Sequence, residues 1–225
     1  TKKERIPLDL PTLRRLFACP IYADGARTAG GAGEAQYWLP LLALFTGARL
    51  EELCQLRPED VLEEVYFAED ETERTAWILR ITDAGEGQGV KNKGLVRRVP
   101  IHASLKELGF IDYAKKAKGR ARIFNELIPD TYGRESGNWS SWFNNYLRDK
   151  VGVSDERMVF HGFRHTFKDA ARDCGIAEDA SDAITGHSSA SVGRKYGSGT
   201  YPLRPLVEAM NRYRIPGLVL PNPPA

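Results

Sequence analysis

Between Val61 and Ile101 the sequence changes character, and that change limits the folds open to it. Val61 to Phe67 and Thr75 to Ile81 gather β-branched and aromatic residues and read as two strands, separated by the acidic turn Ala68 to Arg74. Asp83 to Gly94 is rich in glycine, and Leu95 to Ile101 reads as a third strand ended by Pro100 and His102. Three short strands make one small antiparallel sheet. The flanks carry helical spacing instead. Leu10, Leu13, Leu16 and Phe17 mark an amphipathic helix within Leu8 to Phe17, and Asp24 to Gly33 is a Gly/Ala-rich loop. Glu34 to Phe45 is a hydrophobic helix with Pro40 as a potential kink, broken at Thr46-Gly47. A second helix runs from Arg49 to Leu56 and is closed by Pro58. Beyond Ser104 the pattern predicts helices at about 104–117, 139–149, 162–173, 177–185, 189–196 and 203–213, then an extended tail, Pro216 to Ala225, with four prolines. The expected class is α+β: mostly helical, with a small antiparallel three-stranded sheet.

At 225 residues the chain can bury a large core. Thirty-two basic residues against thirty acidic ones leave a net charge of +2, which argues for no particular partner; local clustering matters more than the sum. Cys19, Cys54 and Cys174 are odd in number and far apart, so neither a disulfide framework nor a CxxC metal pair follows, and a reducing compartment fits best. No apolar run approaches the roughly 18–20 residues needed to span a bilayer. The expected location is the cytoplasm, with no membrane partner.

Four segments carry chemistry. In Thr46-Gly47-Ala48-Arg49-Leu50-Glu51-Glu52-Leu53 a glycine break sets Arg49 at a helix start, where it can point into a cleft, although taken alone the segment reads more often as an ordinary solvated or salt-bridged arginine. In His161-Gly162-Phe163-Arg164-His165-Thr166-Phe167 the three-residue spacing puts His161 and Arg164 on one helical face. An arginine fork beside an imidazole suits a phosphodiester, since the fork binds two non-bridging oxygens and the ring exchanges a proton near neutral pH. The same segment also reads as a capped helix start with satisfied polar groups. Thr185-Gly186-His187-Ser188-Ser189 and Lys195-Tyr196-Gly197 follow, with nine residues from His187 to Tyr196, enough for a turn and about two helical turns to bring both to one place.

In this order the four segments closely resemble the signature of the tyrosine recombinases, the phage integrase family, over nearly the whole chain. The first looks like that family's first-arginine box, including the acid three residues on, Glu52. His161 to Phe167 looks like its His-x-x-Arg box, and Gly186-His187 like the stretch before its nucleophile. The family also uses a hairpin lysine, which the resemblance puts at Lys91, with Lys93 the alternative, in Val90 to Ile101.

The resemblance implies a catalytic domain over residues 1–215, a tail at 216–225, and an amino-terminal core-binding domain lying outside this chain, which alone would bind DNA weakly. It implies site-specific recombination, integrating or excising mobile or phage DNA. Tyr196 would be the nucleophile, leaving a 3′-phosphotyrosine and a free 5′-hydroxyl. A tyrosine with a pKa of about 10 needs help to lose its proton, a role for His161. Arg49 and Arg164 would clamp the non-bridging oxygens, His187 would add a hydrogen bond there, and Lys91 would protonate the leaving oxygen. The two arginines supply the charge a metal supplies elsewhere, and no nucleotide-binding motif occurs, so neither a metal nor a cofactor is expected. The expected partner is double-stranded DNA, gripped in part by the basic run Lys115, Lys116, Lys118, Arg120 and Arg122, unless that run is simply a solvated face. Self-association as a tetramer on DNA follows from the resemblance, with an accessory DNA-bending protein as a further partner. The face Leu203, Leu206, Val207, Met210 and Tyr213 would either dock on a neighbour by helix exchange or pack on its own chain. Two other readings share these residues: a type IB topoisomerase that relaxes supercoils, and a DNA-binding module without catalysis.

Overall fold

A computed structural model describes residues 4–85, 87–89, 96–187 and 200–222. The fold is built around one helix, α3 (Ala35–Thr46), whose twelve residues are all buried. Its sequence, AQYWLPLLALFT, is apolar on every side, and such a helix is stable only when covered all round. It runs through Pro40, whose missing N–H would otherwise leave the Gln36 carbonyl without its helical donor. The buried Tyr22 hydroxyl fills that gap, donating to Gln36 O at 3.4 Å and Tyr37 O at 3.1 Å. The short α2 (Pro20–Ala23), which the spacing of apolar residues does not announce, exists to present that tyrosine.

Around α3 lie α1 (Leu10–Phe17), capped by Asp9, and α4 (Leu50–Cys54), followed by the sheet. Strands β1 (Val61–Phe67), β2 (Glu73–Ile81) and β3 (Arg97–Pro100) form an antiparallel sheet in the order β1-β2-β3. Val61 faces Leu79, Phe67 faces Glu73, and Ile81 faces Arg97. The acidic stretch around this hairpin is partly consumed in holding it. Asp60 accepts from Arg57 N, Gln88 and Arg80, Glu64 pairs with Arg98 at 2.8 Å, and Asp70 pairs with Arg74 across the turn.

The helix expected at 104–117 is two: α5 (Ala103–Glu107) and α6 (Phe110–Lys116), divided at Gly109, which takes φ 89°. Then come α7 (Ser136–Asp149), α8 (Gly162–Asp173), α9 (Glu178–Thr185) and α10 (Leu203–Arg212). The helix expected at 189–196 lies outside the described residues. The tail turns once at 215–218 and is tied to the body: Arg14 donates to Gly217 O, and Tyr37 to Asn222 O at 2.7 Å.

All five residues of the apolar face of α10 are buried within this chain. Leu203 and Val207 close over Ile78 of the sheet, and Tyr213 stacks on Phe167 of α8 and donates to Leu44 O of α3. His102 locks the end of the helix. Its Nδ1 accepts from Ser104 N, so Nε2 carries the proton and donates to Tyr213 O at 2.9 Å. Burial lowers its pKa below 6.5. In the unfolded chain the ring takes up a proton near pH 6.5, which the folded ring resists, so its contribution is present above that pH and drains as the pH falls. His102→Asn keeps a capping acceptor but does not titrate. Denaturant unfolding from pH 7 to pH 5 should show a smaller loss of stability for this variant than for the parent.

Candidate functional site

Two short turns bring the site together. Thr46 ends α3 by donating from Oγ1 to Leu42 O and accepting from Ala48 N, and Gly47 then takes φ 59°. A Cβ at residue 47 would lie 2.7 Å from Thr185 Cγ2 and 3.0 Å from the Phe167 ring, so this turn requires glycine for conformation and for space. The turn delivers Arg49 to the N-cap of α4. On the far side, α9 ends at Gly186, φ 65°, and its last carbonyls face the same region.

Arg164, in the first turn of α8, joins the two turns. It is 7% exposed, and its Nη1 donates to Gly47 O at 2.8 Å and to Thr185 O. Its Nη2 is buried with no acceptor among the described residues. Burial, and then the charges of Arg49 and Arg97, push its pKa down to about 10. Three guanidinium groups are therefore crowded together, and one carboxylate is set among them. Glu52, 5% exposed, accepts from Arg49 N at 2.9 Å and Arg49 Nη1 at 3.0 Å, and from Arg97 Nη2 at 2.6 Å. Burial pulls Glu52 toward its neutral form; the charge and hydrogen bonds of Arg97, with those of Arg49, outweigh that and lower its pKa.

His161 caps α8 one turn before Arg164, with an exposed edge beside a cleft of about 260 Å³ lined in part by Arg5, Ala48, Ser140 and Asn144. Partial burial, then the positive charge of His165, Arg164, Arg49 and Arg5, push its pKa down to about 4. It is neutral at pH 7 and able to accept a proton. His187 follows Gly186 directly, 63% exposed at its side chain, with Nδ1 4.0 Å from Asp182, which also pairs with Lys168. A larger cavity of about 520 Å³, between the β1–β2 turn and α10, touches none of these residues.

Of the residues singled out in the sequence, Arg49, His161 and Arg164 converge, and His187 follows the α9 terminus, whose Thr185 carbonyl Arg164 holds. Lys91, Lys93 and Tyr196 lie outside the described residues. Arg97 was not singled out. Its signal is the alternation Arg97, Val99, Ile101, which places it on the buried face of β3. Within the basic run, Arg122 is held in an ion pair by Glu135 and Lys115 lies over the Trp77 ring at 4.6 Å, while Lys116, Lys118 and Arg120 are exposed. Among the described residues no group of His, Cys, Asp and Glu side chains is arranged to hold a metal, and no helix is long and apolar enough to cross a membrane.

No family model and no curated protein matches the sequence. Solved structures do match the fold. An integrase from mycobacterium phage Brujita superposes with a TM-score of 0.55 at 16% identity, over 95% of this chain and 60% of that one. The integrase of the Tn1549 transposon, solved in complex with transposon right end DNA, gives 0.54 at 17% identity, over 95% of this chain and 63% of that one. The chain has the integrase fold. It spans about three fifths of the length of these neighbours.

Proposed function

We propose that this chain is the catalytic part of a site-specific DNA recombinase that cleaves and rejoins duplex DNA through a 3′-phosphotyrosine on Tyr196. The observation that carries the reading is Arg164, a buried guanidinium crowded by two others and holding one nitrogen without an acceptor among the described residues. Leaving such a donor unpaired costs about 1–3 kcal/mol, and crowding like charges adds to that cost. An anionic phosphate relieves both. A phosphodiester carries the charge and the paired oxygens that a guanidinium fork recognises.

In the cleavage step the Tyr196 oxygen attacks phosphorus, the bond to the 5′-oxygen breaks, and the phenolic proton leaves toward His161. Burial first, and then the surrounding positive charge, lowers the pKa of His161; a bound phosphate adds negative charge beside the ring and raises its basicity. Arg49 and Arg164 hold the non-bridging oxygens, with His187 as a further donor. Lys91, or Lys93, protonates the departing 5′-oxygen. Reversal with a 5′-hydroxyl from a second duplex gives recombination without an external energy source. Double-stranded DNA is the substrate. A longer protein with an additional DNA-clasping domain, and assembly of several copies on DNA, complete the reading.

The test uses duplexes nicked beside the scissile phosphate, drawn from DNA flanking the gene and from a pool of random sequence. The parent protein should give adducts that survive denaturant, and Tyr196→Phe should give none. Gel retardation without any adduct from the parent would overturn the enzyme reading and leave a binding module.

A further inference from the structure

Arg97 adds a second side-chain tie, beside Arg164, between the α4 side of the pocket and the end of α9. From β3 its Nη2 and Nη1 reach Glu52 at 2.6 and 3.4 Å, while its Nε donates to Ile184 O at 2.8 Å, in the last turn of α9. Arg164 takes the next carbonyl, Thr185 O, so two arginines cap successive carbonyls at the negative end of one helix. Gly186 makes room for this arrangement: a Cβ there would come within 2.7 Å of Arg97 Nη1. Downstream of each contact stands a residue of the site. Glu52 orients Arg49, and the α9 terminus leads directly into His187.

We infer that Arg97 is a positioning residue, fixing Arg49 through Glu52 and the His187 turn through Ile184, so that both face one phosphate. The inference rests on the strand-transfer reading above. Stability alone gives a poor reason for this arrangement. Replacing a buried ion pair by well-packed apolar side chains is often neutral or stabilising, and β3 already buries Val99 and Ile101 on the same face. Arg97 also adds a third positive charge beside Arg164, which folding must overcome and an incoming anion repays. A guanidinium is the side chain that meets both demands here. Its fork spans the two carboxylate oxygens while its Nε remains free for the helix carbonyl.

Arg97→Gln and Arg97→Lys, made in the full-length protein, separate positioning from simple support. On the nicked duplex that the parent captures, Arg97→Gln should form adducts about 10²-fold more slowly, the cost of a small misplacement of catalytic groups, with duplex affinity nearly unchanged. Arg97→Lys keeps the charge opposite Glu52 but not the second contact, and should recover only part of the rate. Combined with Glu52→Gln, Arg97→Gln should lose less than the sum of the two single losses, since the variants share the Glu52–Arg97 contact while the Ile184 contact belongs to Arg97 alone. Three results would overturn the inference: an unchanged rate in Arg97→Gln, losses of rate and affinity in equal measure with no recovery in Arg97→Lys, or fully additive losses in the double variant. Absence of adducts from the parent would count against the strand-transfer reading itself, which distinguishes the two failures.

Discussion

Replacing Arg164 with lysine is expected to slow DNA cleavage by about 10²–10³-fold, the usual cost of losing one donor to an oxyanion. The charge survives the substitution but the fork does not. In the parent, Nη1 is committed to Gly47 O and Thr185 O, so on the proposed reading the buried Nη2 of the same planar fork is the group left to meet a phosphate. A lysine ammonium is a single point of charge and cannot hold the two turns and an oxygen in those fixed directions. Arg164→Ala should be worse in another way, leaving two carbonyls without this donor at a cost of about 1–3 kcal/mol each. Single-turnover adduct formation measures the first effect and denaturant unfolding the second. Equal rates for Arg164→Lys and the parent would mean that phosphate is held elsewhere.

The largest effect on stability is expected from Glu52→Gln. Glu52 pairs with both Arg49 and Arg97, and Arg97 is itself only 7% exposed. Neutralising Glu52 removes a carboxylate charge from beside a buried guanidinium, and breaking buried pairs from one side costs about 3–5 kcal/mol. The amide oxygen can still accept from Arg49 N, so the loss reports charge pairing more than capping. The carboxyl is held below its unfolded value of about 4.3, so the stability it contributes is present above that pH and is lost as the pH falls through its folded pKa. In Glu52→Gln that acid limb should shrink. Urea midpoints at pH 7 and pH 4 test both statements, and a loss below 1 kcal/mol at pH 7 would contradict the ion-pair assignment.

Much of this site is legible in the sequence because its parts are local. The break at Gly47 and the spacing of His161 and Arg164 are written within single turns, and the structure brings Arg49, His161 and Arg164 together. Strand β1 spans Val61–Phe67, the range its composition suggests, and the face of α10 is buried in full. What the sequence hides is long-range pairing. Arg97 reads as one more surface cation until Glu52, forty-five positions earlier in the chain, is seen beneath it. Arg122 reads as part of a DNA-gripping run until Glu135 takes it. The division at Gly109 is missed for a different reason: apolar spacing continues on both sides, and a lone glycine within a helical pattern is often tolerated. The four-residue α2 is too short to show a period at all.

The assignment of Tyr196 as nucleophile is tested most directly by locating the covalent bond. Trapped adducts are digested with nuclease and trypsin, and the peptide bearing the residual nucleotide is sequenced by mass spectrometry. Fragmentation should place the phosphodiester on the Tyr196 oxygen. A nucleotide on Tyr201, whose hydroxyl donates to Asp179 at 2.9 Å, or on any other side chain, would contradict it.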